Sequence, residues 1–211
     1  MPSLPGHNCP RCPRLEAFRK SNRANFTDWH NAPVPSFGDR QGKLLIVGLA
    51  PGLRGANRTG RPFTGDHAGD LLYDTLETFH FLIGHYDRRP DDGIQLTGAR
   101  ITNAVRCVPP KNKPVGAEIL ACMPFLTTEI STLPRLEIIL ALGTVAHGAV
   151  LASLGLPKSS AAFSHGAIHP LPGGRKLVDS YHCSRYNTNT GRLTKTMFND
   201  VFAQIRQFLD S

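Results

Sequence analysis

Four short apolar runs recur along the chain, and each is followed by a polar or glycine-rich segment. The runs are KLLIVG at residues 43–48, ARITNAV at 99–105, LEIILAL at 136–142 and RKLVDSY at 175–181. Runs rich in Leu, Ile and Val are typical of strands that are buried on both faces of a parallel sheet. The pattern therefore predicts a sheet of four strands.

Segments with helical spacing separate these runs and follow the last of them. Apolar side chains recur three or four residues apart in each segment, which indicates helices with one buried face. The segments span residues 71–79, 119–130, 145–154 and 194–209. Strands that alternate with helices predict an α/β sandwich around a mainly parallel sheet.

The length of 211 residues suits one sizeable domain. We expect a single domain over residues 1–211, in which residues 1–40 form an N-terminal arm of one helix and an extended segment packed on the core. No stretch of 18 consecutive apolar residues occurs, and no apolar segment follows a basic start. We therefore expect a cytoplasmic protein that does not enter a membrane.

The chain is basic, with 24 Lys and Arg against 16 Asp and Glu and a net charge of +8. This balance favours a polyanionic partner such as nucleic acid, although many basic proteins bind nothing acidic.

In parallel sheets, ligands bind beyond the carboxyl ends of the strands. The segments at those ends are residues 49–66, 105–114, 143–148 and 182–192, and three of the four are rich in Arg, Lys, Asn, Thr or His. The first segment is rich in glycine, which lets backbone N–H groups approach a ligand closely. It matches neither the phosphate-binding P-loop nor the GxGxxG pattern, and taken alone it is equally compatible with an ordinary turn.

Five cysteines are present, and four of them could form a metal site. Cys9 and Cys12 form a CxxC pair, while Cys107 and Cys122 lie in the middle of the chain. Four thiolates suit either zinc or an iron–sulfur cluster, and spacing alone does not decide between them. Cys183 is expected to stay free.

Three motifs together resemble those of the uracil-DNA glycosylase superfamily, specifically its iron–sulfur branch of broad specificity, type b or family 5. They are GLAPG...NRTGRPFTGD, ITNAVRCVPPKNKP and HCSRYNTNTGRLT, in this order. The resemblance implies a monofunctional enzyme that hydrolyses the N-glycosidic bond of uracil, and of other deaminated bases such as hypoxanthine, xanthine and modified uracils, in DNA. An abasic site would remain. The resemblance also implies a three-layer α/β/α sandwich around a central, mainly parallel four-stranded sheet.

The resemblance also implies roles for residues of the predicted base pocket. Phe63 would stack on the flipped base, and Asp66 would orient or activate the water and stabilise the sugar cation. Asn103 would bind the water or sugar, and His182 would donate a hydrogen bond to a base carbonyl. Further substrate-binding residues are Gly48, Leu49, Ala50, Pro51 and Gly52. Two alternatives stay open: Phe63 as an ordinary core residue, and Asp66 as the N-cap of the following helix.

Two positions depart from the family pattern. Leu49 occupies a site where related branches carry an acid or an amide, so the water loses a partner there. Either Asp66 takes over this task, or the reaction runs largely dissociatively. His67 is bulkier than the small residue expected after Asp66, which changes the expected depth of the pocket.

Basic and polar side chains near the pocket are the predicted DNA contacts, which bind phosphates largely independently of sequence. Tyr186 could also act as a wedge that fills the gap left by the flipped base. The predicted contacts are Arg58, Arg61, Lys111, Lys113, Ser184, Arg185, Tyr186 and Asn187, with Arg54 and Arg192 as further candidates.

The resemblance favours a structural [4Fe–4S] cluster held by Cys9, Cys12, Cys107 and Cys122, which would pin the N-terminal arm to the basic segment 105–114. A monomer is expected, because one face must embrace DNA. The alternatives are a non-catalytic iron–sulfur module that only binds DNA, and, more remotely, a zinc hydrolase that acts on a small substrate.

Overall fold

The computed structural model describes residues 4–211 and contains the predicted sheet. Four parallel strands form its centre, in the spatial order β5, β2, β6, β8. They are β2 (Leu44–Gly48), β5 (Ala99–Asn103), β6 (Ile138–Leu142) and β8 (Lys176–Ser180). Each falls inside one of the four apolar runs, and nearly every residue in them is buried.

The sheet has six strands, so the prediction of four was too low. Short antiparallel strands flank the parallel centre: β1 (Phe37–Gly38) pairs with β5, and β7 (Ile168–Pro170) pairs with β8. A separate two-stranded sheet joins β3 (Leu82–Ile83) to β4 (Gln95–Leu96). Strands of two or three residues are too short to leave an alternating pattern in the sequence.

Helices cover both faces of the sheet, which confirms the three-layer architecture. One face packs against α3 (His67–Thr78) and α7 (Lys195–Leu209), and the other packs against α4 (Gly116–Thr132) and α5 (Thr144–Ser153). Successive residues of β2 show the division, since Ile46 belongs to the first core and Val47 to the second. The remaining helices are α1 (Pro13–Asn25), α2 (Ala56–Thr59) and α6 (Arg185–Asn189).

The strand register fixes which loops meet at the carboxyl edge. Gly48 at the end of β2 pairs with Asn103 at the end of β5, and Leu142 at the end of β6 pairs with Ser180 at the end of β8. The loops that follow these four strands therefore start side by side. Among the described residues, no helix is long and apolar enough to cross a membrane.

Candidate active site

A pocket of about 630 Å³ opens at the carboxyl edge of the sheet. All four loops that follow the central strands contribute to its wall. Of the predicted site residues, Leu49, Ala50, Pro51, Gly52, Phe63, Asp66, Asn103, His182, Ser184 and Arg185 line it. One cavity therefore brings together all three residues predicted to be catalytic.

Phe63 presents its ring to the pocket from an unusual backbone conformation. Its φ of 53° lies in the left-handed region, which bulky residues rarely adopt. The side chain is only 7% exposed and also joins the core beside α3. The two interpretations of Phe63 are thus compatible, because the core supports the ring while the ring lines the pocket.

Gly48 makes room for two pocket residues. A Cβ atom at Gly48 would overlap the Asn103 side-chain oxygen and the Phe63 ring. Gly48 itself does not line the pocket; it lies behind Asn103 and Phe63. Any larger residue at this position would push both side chains into the cavity.

Asp66 is the N-cap of α3, and its side chain accepts a hydrogen bond from the Gly69 backbone N–H at 3.3 Å. Burial raises the pKa of Asp66, although hydrogen bonds from Gly69 and Ala68 act in the opposite direction. One carboxylate oxygen also faces Gly52 and Gly55, where a Cβ at Gly55 would overlap it. Asp66 therefore both caps the helix and lines the pocket.

His182 lines the pocket, and its ring nitrogen Nδ1 is buried without a hydrogen-bond partner in the described chain. Burial lowers the pKa of this histidine to about 4, so the imidazole is neutral at physiological pH. Its ring lies 5.9 Å from that of Phe63, centroid to centroid. A buried polar atom without a partner is costly in a folded protein, so the position of this ring is tightly constrained.

The lowered pKa makes a prediction about stability. Between about pH 6.5 and pH 4 the unfolded chain protonates this histidine and the folded chain does not, so the free energy of unfolding falls as the pH drops through this window. The lowered pKa of His182 corresponds to a change of roughly 3 kcal/mol in the free energy of unfolding. We expect His182→Asn to flatten the pH dependence of urea unfolding by that amount. His85→Asn, at an exposed position outside the pocket, should leave the wild-type slope; equal slopes for all three proteins would refute the assignment.

Five of the eight predicted DNA contacts have exposed side chains near the pocket mouth or on its flanking loops: Arg58, Lys111, Lys113, Arg185 and Tyr186. Ser184 is the N-cap of α6, and the Asn187 side-chain amide donates to the His182 carbonyl at 2.8 Å. These two side chains thus already have partners within the chain.

Arg61 corrects the prediction of a phosphate contact, because it is buried and paired. Its guanidinium makes two 2.7 Å hydrogen bonds to Asp92 and a third, of 2.6 Å, to the Arg89 carbonyl. Against the effect of burial, Arg61 and two backbone N–H groups lower the pKa of Asp92 to about 2. Arg61 therefore joins the first loop to residues 87–92 and offers no free face to DNA.

Replacing Arg61 should accordingly destabilise the fold. Arg61→Met leaves the Asp92 carboxylate buried without its partner, and we expect the free energy of unfolding to fall by about 3 to 5 kcal/mol in urea titrations. Arg58→Met is the matched control, since Arg58 is an exposed arginine in the same loop, and its change should stay within about 0.5 kcal/mol. Equal effects of the two substitutions would contradict this role.

The four cysteines Cys9, Cys12, Cys107 and Cys122 gather around a small apolar cavity. Cys12 is the N-cap of α1, and the Cys122 sulfur accepts from the Arg106 backbone N–H at 3.3 Å. Within the described chain, no three of the four sulfur atoms lie within 4.8 Å of one another. Burial, reinforced by neighbouring thiols, raises the pKa of Cys12 to about 11 and that of Cys107 to about 12.

Two histidines and an aspartate form a second cluster of potential metal ligands, which no motif in the sequence indicated. His147, His169 and Asp179 lie within 4.8 Å of one another, and none of them lines the pocket. Both histidines are at hydrogen-bond distance from the Asp179 carboxylate, at 2.7 and 3.0 Å, and His147 also contacts the Ala161 carbonyl. These contacts link α5 to β7 and β8 by hydrogen bonds.

Other pocket residues were not assigned from the sequence. Thr144 and Val145 begin α5 directly after β6 and lie in the segment 143–148, whose position already marked it as part of the site. Asn112 lines the pocket from a left-handed conformation with a φ of 55°, next to Lys111 with 56°. Both residues lie in the predicted site segment 105–114, but nothing in its sequence indicated this conformation or showed that Asn112 lines the pocket.

The model of the uracil DNA glycosylase superfamily matches residues 35–206, a range that contains every residue lining the pocket. The chain is 47% identical over 204 residues to a protein named type-5 uracil-DNA glycosylase from Thermus thermophilus, covering 94% of this chain and 93% of that protein.

Two proteins from Pyrobaculum aerophilum are also similar. A type-5 uracil-DNA glycosylase is 41% identical over 195 residues, covering 89% of this chain and 83% of that protein. A type-4 uracil-DNA glycosylase is 34% identical over 149 residues, covering 70% and 62%. The type-5 likenesses thus extend over most of both chains.

Proposed function

Because the chain belongs to the uracil DNA glycosylase superfamily, we propose that it hydrolyses the N-glycosidic bond of uracil in DNA and leaves an abasic site. The observation that carries this proposal is the pocket that combines an aromatic ring, a carboxylate and a neutral histidine: Phe63, Asp66 and His182. A DNA base reaches such a pocket only after it has left the helical stack.

The pocket suits the charges that develop during bond cleavage. Positive charge grows on the sugar and negative charge on the departing base. Asp66 supplies the anion for the sugar, and its burial makes the carboxylate a stronger base towards the attacking water. His182 is neutral, so it donates one N–H to the base carbonyl without bringing a positive charge into the pocket in the ground state.

Leu49 gives this pocket its particular chemistry. It lines the cavity where related branches carry a polar residue, so it offers no hydrogen bond to the water. Activation of the water therefore falls to Asp66, with Asn103 to orient the water or the sugar.

The base range extends beyond uracil to hypoxanthine, xanthine and modified uracils. Leu49, Ala50 and Pro51 present apolar surface that reads the base edge less strictly than polar groups would. A cavity of about 630 Å³ also suits a purine as well as a pyrimidine.

The exposed basic side chains bind the phosphates on both sides of the flipped nucleotide. DNA affinity should therefore fall as the salt concentration rises. Four side chains would make these phosphate contacts: Arg58, Lys111, Lys113 and Arg185. Loss of one contact would reduce the slope of log affinity against log salt concentration by about 1. Tyr186, which is 73% exposed on α6, would act as the wedge. One protein molecule would act on one site, as a monomer in the cytoplasm.

A [4Fe–4S] cluster fits the residues around the four cysteines. A tetrahedral zinc site brings its sulfur atoms within roughly 3.8 Å of one another, closer than this arrangement does. Cys9, Cys12, Cys107 and Cys122 would hold the cluster, and apolar neighbours such as Leu15 and Phe125 shield it. When bound, the group supplies structural cross-linking between α1 and the segment 105–114.

The decisive experiment is base release from end-labelled oligonucleotides with a single uracil, single-stranded or opposite guanine or adenine. We expect strand breakage at the uracil only after alkali or heat. A thymine oligonucleotide is the control. If the iron-loaded protein binds the uracil oligonucleotide and yields no alkali-sensitive site, the chain is a DNA-binding module.

A further inference from the structure

One hydrogen bond joins the segment that follows β2 to the segment that follows β8. His67 Nε2 lies 2.9 Å from the Thr188 hydroxyl oxygen. His67 begins α3 directly after Asp66, whereas Thr188 lies in α6, after β8. Because β6 lies between β2 and β8 in the sheet, the bond connects segments that follow two non-adjacent strands.

Both directions of this bond are compatible with the other contacts of Thr188. Its hydroxyl oxygen also lies 3.1 Å from the Arg185 carbonyl and 3.3 Å from the Ser184 carbonyl. The hydroxyl accepts from His67 when Nε2 carries the imidazole proton, and it donates to His67 when Nδ1 carries that proton.

Few other contacts hold α6 in place. The helix has five residues and none of them is buried. The Asn187 amide binds the His182 carbonyl, which connects α6 to its own half of the pocket. Short helices without buried side chains open readily, so each polar contact has a large effect on their position.

We propose that His67 is a positioning residue that fixes α6, with Arg185 and Tyr186, over the pocket by its hydrogen bond to Thr188. The proposal rests on the proposed function, since it assigns α6 to DNA contact. The size of His67, unexpected for this position, gives it the reach that a small residue would lack.

The test is a double-mutant cycle with His67→Ala and Thr188→Val. Each single variant should raise KM for a uracil duplex about fivefold, the weight of one hydrogen bond, and leave kcat within about twofold. The KM of the double variant should be no higher than the higher KM of the two single variants, because both substitutions remove the same bond. Thr188→Ser keeps the hydroxyl and should restore wild-type KM.

Thr190→Val is the matched control. Within residues 4–211, the Thr190 hydroxyl bonds only to backbone carbonyls of α6, those of Tyr186 and Asn187. This variant should show no coupling to His67→Ala. Additive effects of His67→Ala and Thr188→Val, or a wild-type KM for Thr188→Val, would overturn the proposal.

Amide hydrogen exchange without DNA separates this proposal from the proposed function. Residues 185–190 should exchange faster in His67→Ala and in Thr188→Val, and at the wild-type rate in Thr188→Ser. Unchanged exchange in an active enzyme would refute the positioning role. Faster exchange in a protein that releases no uracil would refute only the glycosylase assignment.

Discussion

Asp66→Asn should lower kcat for uracil release by about 10² to 10⁴-fold, the range attributed to a positioned acid–base group. Asparagine is as good an N-cap as aspartate, so the bond to Gly69 and the start of α3 should persist. The substitution therefore removes the charge without removing the cap. Single-turnover release from a uracil oligonucleotide measures the effect, and filter binding to the same oligonucleotide should show affinity within about threefold of the wild type.

Asp70→Asn is the matched control for charge. Asp70 lies in the first turn of α3, outside the pocket lining, and pairs with the exposed Arg88. It should keep kcat within about threefold, because an exposed ion pair contributes little. If Asp66→Asn keeps near-wild-type turnover, the N-cap is the whole role of Asp66 and the reaction runs without a carboxylate at this position.

The location of the site was predictable because it depends on strongly patterned elements. The four parallel strands are continuous apolar runs, and parallel strands bring their carboxyl ends to one edge. Asn103 and His182 therefore reach the same pocket although 79 residues separate them in the chain. The edge strands were not predictable, since two or three residues carry too little pattern.

The partners of individual side chains were not predictable, because they lie far away in sequence. Arg58 and Arg61 stand in the same basic loop, yet one is exposed and the other is buried against Asp92. The two arginines look equivalent in the sequence, and only the folded position of residues 86–92 shows that Arg61 is the paired one. His67 is a similar case, since its partner Thr188 lies 121 residues away.

Cys107→Ser should release the metal and loosen the N-terminal arm. The Cys107 sulfur accepts a hydrogen bond from Arg19 of α1 at 3.4 Å, and Arg19 also binds the Cys9 carbonyl at 2.9 Å. Arg19 therefore already connects α1 to the segment 105–114, and the proposed cluster would strengthen this connection. We expect iron content to fall towards zero and the free energy of unfolding to fall by about 4 kcal/mol, the linkage energy of a ligand at roughly a thousand times its Kd.

Cys183→Ser is the control for this prediction, because Cys183 is a buried cysteine outside the four-cysteine group. It should keep its full iron content and lose about 1 kcal/mol of stability or less, the usual cost of a small change in a core. Zinc in place of iron in the wild-type protein would refute the cluster, and retained iron in Cys107→Ser would refute this ligand.

Because segment 105–114 carries Lys111 and Lys113, loss of the cluster should weaken DNA binding more than it slows bond cleavage in the bound complex. That separation between binding and cleavage distinguishes a structural cluster from one that takes part in catalysis.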